Sequence, residues 1–237
     1  MSYLLGVDIG TSGTKSVLFD EAGAQLASVT AEYPLYQPKP GWAEQEPEDW
    51  WRAAAESIAA VLAKSGVDAG EVACVGLTGQ MHSLVCLDGA GNVLRRAILW
   101  CDQRTAGAAA ELTETVGRER LVEITANPAM TGFTAAKLLW LRKHEPQIYE
   151  KTRKILVPKD YIRFCLTGEF AAEVSDASGM QLLDVAERRW SEPLLTLLGI
   201  DRALLADVYE SVCITGQVTP SAAKLTGLKA GTPVVGG

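Results

Sequence analysis

The chain has 237 residues, 48% apolar and 22% charged, with 22 Lys and Arg against 29 Asp and Glu for a formal charge of −7. That composition excludes a disordered or collagen-like polypeptide. The acidic balance argues against nucleic acid or an anionic membrane as the main partner. No run reaches the ~18 apolar residues of a membrane span, and the start, MSYLLGVDIG, lacks the basic region of a signal peptide. Five widely spaced cysteines with no CxxC pair read as reduced thiols of a cytoplasmic protein. With two histidines and no ligand cluster, a zinc site is not expected.

In chain order, Tyr3 to Ile9 reads as a strand, Lys15 to Phe19 as a second and Gln25 to Tyr33 as a third, so two hairpins open the protein. Pro34, Pro38 and Pro40 make a loop, and Glu46-Pro47-Glu48-Asp49 starts a helix that Gly66 stops. The acids from Glu44 to Asp49 read as a solvated helix start. Strands are expected at Val72–Leu77, Ser83–Leu87 and Ala97–Trp100, with a polar bend, Thr78 to His82, between the first two. From Thr105 to about Tyr149 the pattern is helical, broken at Asn127-Pro128 and Gly132. A strand at Ile155–Val157, a helix at Pro158–Thr167 and a strand at Pro233–Val235 follow. The chain then runs into Gly236-Gly237, as a chain entering a functional loop does, which suggests the first part of something longer.

The sharpest motif is Asp8-Ile9-Gly10-Thr11-Ser12-Gly13-Thr14-Lys15. Its strand-turn-strand setting excludes the Rossmann and P-loop readings, whose glycine loops open a helix. Such a turn offers backbone N–H groups to phosphate oxygens. An Asp at the strand end suits a hydrated Mg²⁺, and Lys15 adds a point charge. The plain alternative is a glycine hairpin with a solvated Asp. For His82 the plain alternative is a turn histidine, and for Trp100 a core tryptophan. His144, beside Glu145-Pro146, reads as a helix-end residue, and the other tryptophans as packing or loop residues.

The Asp-x-Gly-Thr-x-x-x-Lys hairpin resembles the first phosphate loop of the actin-like ATPase superfamily. The order and spacing of Gly79-Gln80-Met81-His82, Ile98 to Arg104, Gly132-Phe133-Thr134 with Lys137 to Trp140, Pro158 to Tyr161 and Ser175 to Gly179 resemble the FGGY carbohydrate kinases. The Gln-Met-His variant is similar to the xylulokinases; glycerol kinases carry Arg-Glu in place of Met-His. The resemblance implies an α/β fold of the actin-like ATPase (ribonuclease H-like) kind, a mixed β-sheet with flanking helices. It implies that residues 1–237 form the N-terminal sugar-binding and phosphate-loop domain, with a C-terminal nucleotide-binding domain outside this chain.

The implied substrates are ATP with Mg²⁺ and a sugar, D-xylulose first. Asp8 would hold the metal and act at the transferring phosphate, and Thr11, Ser12, Gly13 and Lys15 would line the phosphate turn. Met81 and His82 would contact the sugar, Trp100 would stack on it, and Asp102 would lie close to its hydroxyls. The family's base, an Asp just after a Gly-Gly turn, is expected beyond Gly237, so this chain alone is expected to be nearly inactive. A homodimer is possible, and truncation could itself cause association. The competing readings are a kinase of the same family for ribulose, gluconate or glycerol, and a non-catalytic sugar-binding or interaction module. Glycerol is disfavoured by Met81-His82.

Overall fold

The computed structural model describes residues 2–237. Three strands, β1 (Tyr3–Ile9), β2 (Gly13–Phe19) and β3 (Gln25–Glu32), form the antiparallel meander expected. A short β4 (Glu44–Gln45) leads into α1 (Pro47–Ser65), which returns the chain to β5 (Val72–Gly79), parallel to β1. The helix ends on Gly66, whose φ of 70° is the left-handed cap that glycine accepts without strain.

An excursion follows. It holds β6 (Val85–Leu87), β7 (Ala97–Ile98), α2 (Ala106–Val116), α3 (Arg118–Thr125), α4 (Thr134–His144), α5 (Pro146–Lys151) and β8 (Lys154–Leu156). The strand expected over Ala97–Trp100 is shorter: only Ala97 and Ile98 find a ladder partner, in β4, and Trp100 turns away.

The chain rejoins the sheet layer through α6 (Pro158–Thr167), β9 (Ala171–Glu173), α7 (Val174–Ser178), β10 (Leu183–Asp184), β11 (Arg189–Trp190) and α8 (Glu192–Leu198). Then come β12 (Asp207–Tyr209), β13 (Ile214–Gln217), α9 (Pro220–Thr226) and β14 (Pro233–Val235). The main sheet has six strands in the order β13-β14-β5-β1-β2-β3, parallel through β14-β5-β1 and antiparallel outward from there.

Alternation sets which face is covered. Leu5, Val7 and Ile9 of β1, Leu18 of β2 and Val75 and Leu77 of β5 are buried. Helix α1 packs on β2 and β3 with Ala53, Ala54, Ile58 and Val61, and contacts α6 and α9 beside it. The small residues let helix and sheet approach closely, and Ser16 and Ser57 share a buried hydrogen bond of 2.8 Å across that contact. The alternate residues Leu4, Asp8, Lys15, Thr30 and Thr78 are exposed on the other face. The functional motifs gather where β1 and β5 end, because parallel neighbours finish on the same edge.

Candidate active site

The β1–β2 turn is built by strands whose register places Asp8 opposite Lys15 and Ile9 opposite Thr14. Gly13 is required where it is: a Cβ there would sit 2.8 Å from the Ala31 carbonyl oxygen of β3. The turn's carbonyls are drawn back into the protein. Tyr33 Oη donates to the Gly10 carbonyl at 2.5 Å, Gln45 Nε2 to that of Thr11 at 2.7 Å, and the Tyr33 amide to that of Ser12 at 3.4 Å. Burial pushes the Tyr33 phenol up to about 12, so it stays protonated and donates. The Gly10 amide closes the turn onto the Gly13 carbonyl. The amides of Thr11 and Ser12 have no acceptor among the described residues. A turn with its acceptors tied behind and its donors free in front is an anion cradle.

Asp8 stands exposed beside this turn, with no hydrogen bond or ion pair among the described residues. Lys15, its ladder partner, is exposed and equally unpaired. Asp8 escapes desolvation at the end of an apolar strand, because its side chain lies on the uncovered face. Its free carboxylate beside free amides suits Mg²⁺, a hard ion that keeps several waters and binds through one or two carboxylates plus phosphate oxygens.

The bend after β5 carries Met81, which is 43% exposed, and His82. His82 adopts φ 63°, the left-handed region that non-glycine residues seldom occupy. Several contacts hold it there. Its carbonyl accepts from Thr134 Oγ1 at 3.0 Å and Lys137 Nζ at 3.1 Å, and its ring packs 4.6 Å from that of Phe133. Gly179 gives the ring its room, since a Cβ there would come within 2.3 Å of the imidazole. Burial, helped by the Lys137 charge, lowers the imidazole to about 4, so it is neutral at physiological pH. Nδ1 is buried without a partner. Lys137 is itself buried, which brings its amine down to about 7 against the pull of Asp102, and it also donates to the Gly132 carbonyl.

Trp100 reaches the β1–β2 turn directly: its Nε1 donates to Thr11 Oγ1 at 3.2 Å, while the ring stays 40% exposed. Asp102 does not fit the role expected of it. It is fully buried, and its oxygens accept from the Ala43 amide at 2.6 Å, the Arg104 amide at 2.8 Å, and Arg104 Nε and Nη2 at 2.9 and 2.7 Å. A carboxylate has about four acceptor sites, so none remains for a sugar hydroxyl. Asp102 instead shapes the turn that presents Trp100. Arg104 in turn stacks 3.6 Å over the Trp42 ring and pairs with Glu44 at 2.7 Å. Glu44, read as a solvated acid, is buried between Arg104 and Arg95.

The sequence reading passed over Tyr33, Gln45 and Glu173, and quoted Phe133 within a motif without giving it a role. Glu173 joins two quoted motifs: it accepts from Lys159 Nζ at 2.6 Å and caps α7, whose Asp176 lies 3.3 Å from the same ammonium. Burial alone would raise Glu173, but Lys159, Ser175 and Ser211 bring it down to about 2. A separate cavity of about 640 Å³ is lined by Arg120, Arg188, Arg202 and Trp190. Its arginines Arg188 and Arg202 already pair with Glu210 and Asp207, and it holds none of the motif residues.

Residues 3–237 match the N-terminal domain model of the FGGY family of carbohydrate kinases. The chain belongs to that family. It is 40% identical to the xylulose kinase of Bacillus subtilis (strain 168) over 237 residues, all of this chain and 47% of that protein. Against the xylulose kinase of Escherichia coli (strain K12) the identity is 42% over 233 residues, 98% of this chain and 47% of that one. The crystal structure of xylulose kinase from Rhodospirillum rubrum superposes with a TM-score of 0.94 at 31% identity, covering 99% of this chain and 48% of the other. The chain thus spans about half the length of the curated relatives it matches. Membership also settles the fold as that of the actin-like ATPases, the mixed sheet with flanking helices expected from the motifs.

Proposed function

We propose that this chain is the sugar-binding and phosphate-gripping part of an ATP-dependent kinase that converts D-xylulose to D-xylulose 5-phosphate. The observation that carries the reading is the turn at Gly10–Gly13, with carbonyls tied back and the Thr11 and Ser12 amides free, joined by hydrogen bonds to Trp100 and to the bend before Met81-His82. The names of the relatives support the choice of sugar.

In this reading the Thr11 and Ser12 amides bind phosphate oxygens, and Lys15 adds positive charge on the same edge. Trp100 offers its face to the C–H side of the sugar, and neutral His82 exchanges hydrogen bonds with its hydroxyls. A terminal hydroxyl then attacks the γ-phosphorus in line, giving its proton to the base while the bond to the β-phosphate oxygen breaks and ADP leaves, and positioning with charge balance supplies the acceleration. Asp8 would hold Mg²⁺, which when bound supplies neutralising charge at the phosphates. Residues 1–237 form one domain in this account, with the base expected just beyond Gly237 and the adenosine pocket in a second domain. Turnover by this chain alone is therefore expected to be very low. All five cysteines are free, which fits a cytoplasmic enzyme, and sugar and nucleotide are its partners.

The test is thermal unfolding of this chain with D-xylulose and no ATP. A ligand that binds only the native state at about 100 times its Kd adds roughly 2.7 kcal/mol, so the midpoint should rise. L-Ribulose, gluconate and glycerol at equal concentration should raise it less. A midpoint that no sugar moves would remove the sugar site; a larger shift with gluconate would reassign the substrate.

A further inference from the structure

Two buried glutamines link the phosphate turn to the sugar bend, and a tryptophan fixes their sense. Trp50 Nε1 can only donate, and it donates to Gln45 Oε1 at 3.0 Å. Gln45 Nε2 must therefore face the other way, where it meets two acceptors, the Thr11 carbonyl at 2.7 Å and the Pro34 carbonyl at 3.3 Å. Gln80 Nε2 then donates to the same Gln45 Oε1 at 2.9 Å. Turning Gln45 over would set donor against donor at Trp50, and turning Gln80 over would set acceptor against acceptor at Gln45 Oε1, so the assignment follows from the network. Its far end, Gln80 Oε1, is buried with no donor in the protein. Both side chains are nearly inaccessible, at 1% and 5% exposure, and the Gln80 amide is anchored to the Ile9 carbonyl of β1 at 2.7 Å.

Thr11 is where the parts meet: its carbonyl takes Gln45 and its hydroxyl takes Trp100. We infer that Gln45 is a positioning residue that holds the phosphate turn in register with the Gln80-Met81-His82 bend and with Trp100. Phosphate and sugar then lie at a fixed separation before they react. This rests on the kinase reading above. Gln45 is buried with its amide spent on Thr11, Pro34, Trp50 and Gln80, so its removal should degrade alignment more than sugar affinity, and a misplacement of about 1 Å costs on the order of 10²-fold in rate.

The test compares Gln45→Met and Gln45→Glu in the full gene product with D-xylulose and MgATP. Gln45→Met should lower kcat about 10- to 100-fold while KM for the sugar changes less than about threefold. Gln45→Glu keeps the acceptor for Trp50 and Gln80 but cannot donate to Thr11 while ionised. A protonated carboxyl can. Its kcat should therefore recover toward wild type as pH falls, an acid limb absent from the wild-type profile. Should the Met variant not fold, that limb carries the test. A folded variant with wild-type kcat and no such limb would overturn the inference, as would losses in kcat and KM that merely track the folded fraction. If the wild-type protein phosphorylates no sugar, the kinase reading fails first. The coupling is then read on this chain by NMR: a Trp100 indole N–H resonance unmoved in both variants would overturn it.

Discussion

Asp8 and His82 share one edge of the sheet in opposite electrostatic conditions. Asp8 is exposed and free of protein partners; His82 is half-buried and held neutral. They should separate cleanly on substitution. Asp8→Ala is expected to lower kcat of the full gene product by on the order of 10³-fold or more. The D-xylulose midpoint shift of this chain should stay within a degree or so of wild type on the scale of ordinary surface substitutions. Assay and thermal scan together check it, and a lost shift would place Asp8 in the sugar site instead. Residue types were legible in the sequence here, but their surroundings were not. Asp102 reads as a site acid until Arg104, two positions on, is seen to occupy both its oxygens. Tyr33 and Gln45 lie in or beside a proline loop, and nothing in their spacing announces that they hold carbonyls of a turn more than twenty residues back.

Helix α6 carries two cations inward, an arrangement that only paired charges tolerate. Lys159 lies against Glu173 and Asp176, and Arg163 against Asp160 at 2.9 Å and the Ala171 and Gly236 carbonyls. Removing one partner leaves the others buried and uncompensated, so Lys159→Met should cost about 3–5 kcal/mol, read as a lower urea midpoint. An unchanged midpoint would mean that the cluster is not energetically coupled. This helix was legible to the residue, because proline at its start and Gly168 after its end punctuate it. Helix α1 was legible for the same reason. The short strands β9 to β13 were not: two to four residues show no period, and tertiary pairing alone makes them strands. The acids at Glu44–Glu46 were misread because their cations, Arg95, Arg96 and Arg104, come some fifty residues later.

For the whole molecule, the lowered imidazole of His82 ties stability to pH. Above about 6.5 the histidine is neutral folded or unfolded and contributes no slope. As pH falls from 6.5 to about 4 only the unfolded chain takes up the proton, so stability declines, and below 4 that decline stops. Glu173, lowered to about 2, continues the loss from about 4.5 downward. Thermal midpoints of wild type and His82→Gln across pH 4 to 7 should converge as acid is added, because the variant lacks this titration; parallel curves would contradict it.

The cradle at Gly10–Gly13 has one more consequence. The groups it offers to an anion are main-chain amides, which no codon change short of proline deletes. An alanine scan would read Ser12 as dispensable and assign the damage to Tyr33 and Gln45, remote in sequence and hidden from solvent. Backbone ester substitution at Thr11 or Ser12, which erases a single N–H and leaves the side chain, is the perturbation to which this site is vulnerable.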